Sequence, residues 1–164
     1  MNMELTVTVK GSKYTVQDKK LSRLLYTIKK KGFGAGKYIL MDASNYSLYT
    51  FIQTGDDRKP TFDILNNDVT LMNLICKSLF LDPTITVYGR DTGGGAVDFA
   101  ITSKDHRMFR IVKDGADVGA LKTLLTVSGD LQYEIEIEDK IFDDYIPLFA
   151  VAVDITFGDM NKSK

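Results

Sequence analysis

A single cysteine, a single histidine, three prolines and no long apolar run set the first limits on this 164-residue chain. One cysteine, Cys76, excludes an internal disulfide framework and any multi-cysteine zinc site. One histidine, His106, excludes chemistry that needs two imidazoles. Net charge is also scarce: 21 Lys and Arg face 22 Asp and Glu, so wholesale coating of nucleic acid is not expected. The longest apolar segment, Tyr145 to Phe157, contains Pro147, Asp154 and Thr156. It falls short of the roughly 20 apolar residues that a membrane span requires. The start, MNMELTVTVKGSKY, lacks a basic region followed by an apolar stretch and a cleavage site. A soluble, cytoplasmic chain with no transmembrane segment is expected.

What is present argues for a folded core. Hydrophobic residues make up 44% and charged residues 26% of the chain, which fits one domain over residues 1–164 and argues against disorder. Short alternating segments rich in Val, Ile, Thr, Tyr and Phe recur between turn signals: 4–10, 14–18, 24–30, 37–42, 47–53, 61–65, 84–88, 97–102, 108–112, 121–127 and 131–138. In LQYEIEIE, Leu131, Tyr133, Ile135 and Ile137 face one way and Gln132, Glu134, Glu136 and Glu138 the other. About eleven strands at this spacing predict a mainly β sandwich or closed barrel.

Two stretches break the rhythm. In residues 67–83, Val69, Met72, Asn73 and Cys76 are helically spaced, while Leu79-Phe80-Leu81 reads equally as strand. In the tail, Asp143 or Asp144 can cap a helix, Pro147 suits its first turn and Gly158 suits its stop. The tail is apolar on nearly every side of a helix, which demands burial all round. Phe149, Val151, Val153, Ile155 and Phe157 also alternate as a strand would, and periodicity leaves both open. A loose echo links the Gly-rich-turn and hairpin patterns of residues 30–53 and 88–113, which suggests a duplicated hairpin unit.

Several motifs carry little chemistry. GFGAGK lacks the first glycine and the Ser or Thr of a nucleotide-binding loop, and reads as a hairpin turn. Asp91-Thr92-Gly93 matches the aspartic-protease tripeptide but has no partner aspartate in the chain. His106 sits in the polar turn SKDHR as a surface histidine, Cys76 as a small core hydrophobe, and the Glu134, Glu136, Glu138 row as a solvated strand face. No paired acid and base can be named; neither an enzyme nor a bound metal or cofactor is expected.

The uneven distribution of charge is more informative. Residues 1–60 hold 11 basic and 5 acidic side chains, and the run from Lys10 to Lys37 has nine cations against Asp18 alone. A neutral protein can therefore present a positive patch. Lys29, Lys30, Lys31 and Lys37, with Arg58 and Lys59 secondary, are the candidate ligand-binding residues, directed at an anionic phospholipid headgroup, a peripheral membrane surface or another phosphate-bearing ligand. The alternative is a structural or regulatory domain that acts through protein contacts alone, its lysines merely solvating.

The short strands together with YTVQD, LYTIKKKGFGAGKYILMD, KPTFDIL, KSLFLDP and the terminal DDYIPLFAVAVDITF resemble the tubby C-terminal-like superfamily. That group includes tubby domains, phospholipid scramblases and the LURP-one-related proteins, and the likeness is to its small bacterial members. The resemblance implies a closed antiparallel barrel of about twelve strands around a central hydrophobic helix at about residues 144–157. It also implies a phospholipid-binding surface, since tubby domains bind phosphoinositides through basic residues; no individual positions carry over. The cysteine cluster and acidic calcium loop associated with scramblases are not evident.

Overall fold

Alternation at period two becomes strand wherever one face can be buried, and here it does so twelve times. The computed structural model describes residues 2–32, 36–56, 58–89 and 97–162. Its strands are β1 (Asn2–Lys10), β2 (Lys13–Asp18), β3 (Leu24–Lys30), β4 (Lys37–Asp42), β5 (Ser47–Gln53) and β6 (Thr61–Asn66). They continue with β7 (Val69–Ser78), β8 (Thr84–Gly89), β9 (Val97–Ser103), β10 (Met108–Lys113), β11 (Ala116–Leu125) and β12 (Leu131–Glu138). Each pairs antiparallel with its sequence neighbours, and β12 closes the ring on β1 with Asn2 opposite Glu138 and Thr8 opposite Gln132. In β12, Leu131, Tyr133, Ile135 and Ile137 point inward and are buried, as the alternation predicts.

A ring this wide encloses more space than strand side chains fill. The space is taken by α1 (Pro147–Lys162). Leu148 through Val153 are fully buried, on every side of the helix, which is why the segment needs no polar face. Phe149 meets Phe99 edge-on with ring centroids 5.3 Å apart, and Phe157 lies 5.4 Å from Phe109. Burial of each such side chain contributes about 1.5–3 kcal/mol. The polar group among them, Asp154, accepts hydrogen bonds from the hydroxyls of Tyr14 and Tyr133, each at 2.7 Å.

The structure corrects several expectations. The mixed run at 67–83 is a strand and a turn. Asn67 and Asp68 both take positive φ (50° and 66°), forming a tight hairpin turn that launches β7, and 79–83 turns the chain into β8. Strand β11 begins at Ala116, because Asp114 and Gly115 (φ 51° and 78°) make a second such turn. The helix starts at Pro147, as its fixed φ suits, but does not stop at Gly158. Gly158 is buried inside α1, where a Cβ would stand 3.0 Å from Asp154 Oδ1 and 3.4 Å from Leu131. Neither Asp143 nor Asp144 lies in the first turn; the Asp144 carboxylate accepts from the Tyr26 hydroxyl instead.

The internal echo is not a repeat of the structure. Its two hairpins are β4–β5 and β9–β10, and strands five apart in an antiparallel ring run in opposite directions. A duplicated unit would repeat in one sense.

Antiparallel order also sorts the connections into two ends. The turns after β1, β3, β5, β7, β9 and β11 share one end, and those after β2, β4, β6 and β10 share the other. Residues 139–146 enter the barrel from the second end. The C-terminus of α1 arrives at the first, where Asn161 Nδ2 donates to His106 O at 2.9 Å.

A lysine face at one end of the barrel

Three outward-facing lysines stand in line across β1, β2 and β3. Val9, Tyr14 and Ile28 point into the core, so their neighbours Lys10, Lys13 and Lys29 point out, and all three are exposed. Lys10 is directly opposite Lys13, and Lys13 directly opposite Lys29. Side chains so placed have Cβ atoms about 4.5–5.5 Å apart, and like charges in such pairs repel. None of the three forms an ion pair among the described residues.

The remaining candidates gather round this row to different degrees. Lys31 N donates to Lys37 O at 2.7 Å, so these two exposed residues frame the β3–β4 turn beside Lys29. Lys30 has inward parity, but as the last residue of β3 it is exposed at the rim, its N–H donating to Ser12 O. Arg58 and Lys59 share the end but lie one hairpin further round, in a turn organised by Asp56. The Asp56 carboxylate accepts from Arg58 N at 2.9 Å, and its carbonyl from Lys59 N at 3.0 Å. Of the three members of the row, the sequence candidates include Lys29 but not Lys10 or Lys13. The two-residue turn Gly11-Ser12 between them was the available signal.

The other candidate positions do not assemble chemistry. Residues 33–35 of GFGAGK and the whole of Asp91-Thr92-Gly93 lie outside the described residues. The flanks of the first are two strands rather than the strand and helix of a nucleotide loop. His106 is not a free surface histidine: its Nε2 donates to Leu79 O at 2.7 Å and its ring packs 5.7 Å from that of Phe157. Cys76 is fully buried, and burial raises its thiol pKa, so the thiolate is disfavoured. Backbone N–H groups of Met108 and Arg107 hold Asp105 below the usual carboxylate range. Glu134 pairs with Lys19 at 3.4 Å, Glu136 accepts from Asn2, and Glu138 stands 3.8 Å from Lys140. Among the described residues, no group of three His, Cys, Asp or Glu converges to hold a metal.

Two grooves on the outer wall are lined by residues other than the Lys10, Lys13 and Lys29 row. One of about 370 Å³ is lined by Thr54, Thr61, Phe62, Asp63, Asn73 and Tyr88, and another of about 310 Å³ includes Ser103, Asp105 and Arg110. Lys10, Lys13, Lys29, Lys31 and Lys37 are all exposed and form an open face. Among the described residues, no helix is long and apolar enough to cross a membrane.

Comparison with known proteins agrees with this architecture. A crystal structure of a protein from Arabidopsis thaliana superposes with a TM-score of 0.68 at 16% identity, covering 98% of this chain and 91% of the plant chain. At that identity the likeness is one of fold. No curated protein matches the sequence. The family model for LURP-one-related proteins matches residues 3–155, nearly the whole barrel and just over half of its helix, and the chain belongs to the LURP-one-related family.

Proposed function

We propose that this chain is a non-catalytic binding module that takes a phosphate-bearing anion on its lysine face. The observation that carries the reading is the row Lys10, Lys13, Lys29, three directly apposed cations with no carboxylate among the described residues to relieve them. Cross-strand repulsion of this kind costs a few tenths of a kcal/mol per pair in the free protein, and a bound anion reverses its sign. Lys31 and Lys37 extend the row at the base of the β3–β4 turn, where the Lys31 N–H bond to Lys37 O holds the two exposed residues side by side. An open face suits a headgroup or a chain of phosphates better than an enclosed small metabolite.

The attraction is electrostatic and works over a Debye length of about 10 Å at 0.1 M salt. Binding of tripolyphosphate should therefore weaken steeply as salt rises. The paired reversal Lys13→Glu and Lys29→Glu should abolish it, while leaving the thermal unfolding midpoint unchanged or higher. Equal binding by wild type and the reversed variant would refute the site. The protein-contact alternative would then be favoured.

A further inference from the structure

The end that carries the lysines also carries exposed apolar tips, and they flank the lysine arc on both sides. Going round the ring from β11, the turns hold Val127, then Lys10 and Lys13, then Lys29, Lys31 and Lys37, then Arg58 and Lys59, then Phe80 and Leu81. Phe80 is 75% exposed, Leu81 84% and Val127 fully exposed. The β7–β8 turn does not hold its tips out by chance of looseness. Leu79 packs against the core beneath them, and its carbonyl accepts from His106 Nε2. The Ser78 hydroxyl donates to Leu81 O, and Lys104 Nζ reaches Asp82 at 2.8 Å. The turn is thus tied to the barrel at several points while its two largest apolar side chains stand in water.

We infer that this end docks on an anionic bilayer, with Phe80 and Leu81 entering the headgroup layer while the lysines meet the lipid phosphates. The inference rests on the anion reading above and adds the source of the anion. Apolar tips beside cations match both parts of such a surface, since lysines near charged lipid and buried apolar area contribute separately to partitioning. The opposite end supplies the contrast. It also exposes apolar side chains, Leu21, Tyr46 and Val69, but these adjoin Asp18, Asp42 and Asp68, whereas Asp82 beside Leu81 is paired with Lys104. Its lysines Lys19 and Lys20 are committed to Glu134 and Glu4. Charge complementarity therefore selects the lysine end.

The chain contains no tryptophan, so Leu81→Trp places the sole tryptophan, excited selectively over the eight tyrosines, at the tip. On vesicles of phosphatidylcholine with phosphatidylserine, its emission should shift to the blue and be quenched by brominated acyl chains. On phosphatidylcholine alone it should not move, and Tyr46→Trp at the far end should be silent on both. The double variant Phe80→Ser, Leu81→Ser should lose tenfold or more in vesicle partition while binding tripolyphosphate as wild type does. Vesicle binding without a Leu81→Trp shift, or a shift at Tyr46→Trp, overturns the docking geometry and leaves the anion site standing. Tripolyphosphate binding without vesicle binding identifies a soluble ligand and overturns the membrane inference. Failure of both probes removes the anion reading as well.

Discussion

The hydroxyl of Tyr14 donates to Asp154 Oδ2 at 2.7 Å, joining the second strand to the helix across 140 residues of sequence. Tyr133 donates to the other oxygen, so the carboxylate is clamped between β2 and β12 on either side of the β1 seam. A carboxylate directly after the buried apolar run 148–153 is costly unless its lone pairs are met, and hydrogen bonds to a charged group are worth about 1.5–3 kcal/mol. Tyr14→Phe and Tyr133→Phe should each lower the unfolding free energy by roughly that amount, measured by urea titration. The two losses should not add, because the second removal leaves the same carboxylate wholly unmet. Variants indistinguishable from wild type would show that Asp154 does not hold the helix in place.

The same clamp sets a response to alkali. Burial first, and then the Asp154 charge, raise the pKa values of Tyr14 and Tyr133 well above the ordinary phenol value. Below about pH 10 both folded and unfolded chains keep these protons, and the two tyrosines leave stability unaffected. Above it, the unfolded phenols ionise while the folded ones do not, so unfolding is favoured by about 1.4 kcal/mol per pH unit for each tyrosine. Urea midpoints should decline gently from about pH 8.5, as the unfolded Cys76 thiol ionises while burial keeps the folded one protonated, and fall more steeply above about pH 10. The slope should be shallower in the Tyr14→Phe, Tyr133→Phe double variant.

Much of the barrel was legible in the residues, and the reasons for the gaps are specific. Strand β12 announces itself because every outward position is Gln or Glu and every inward one Leu, Ile or Tyr. Strand β7 hides because Leu71 and Ile75 are apolar on the outward side as well, which erases the alternation with the buried Met72, Leu74 and Cys76. The first half of β11 was missed although Asp114-Gly115 is a strong turn signal. The tail was ambiguous by periodicity, since a helix buried on all sides shows no polar stripe; the family resemblance decided it. At the lysine face, Lys10 opposite Lys13 could be read from a two-residue turn. Lys13 opposite Lys29 could not, because it depends on a register shift at Val16 and Gln17. The His106 contacts with Leu79 and Phe157 are tertiary and left no local trace.

A tight seam offers a test of the ring itself. At Gly119, in β11, a Cβ would stand 2.3 Å from the Glu136 carbonyl oxygen and 3.0 Å from Ile137 Cα. Both are backbone atoms of β12 and cannot swing aside. Gly119→Ala should therefore cost about 1–3 kcal/mol by forcing the two strands apart, despite the better strand propensity of alanine. The denaturation midpoint reads it directly, and a neutral or stabilising result would contradict the close approach.

The most direct test of the account is a map of amide chemical shifts during titration with tripolyphosphate at low salt. The largest changes should fall at residues 10–13 and 29–32 and at Lys37, with smaller ones in the turn at 58–59. The turns at 19–23, 43–46 and 67–68 at the other end of the barrel should stay still. Changes centred on those turns, or spread evenly over the whole chain, would contradict an anion site on the lysine face.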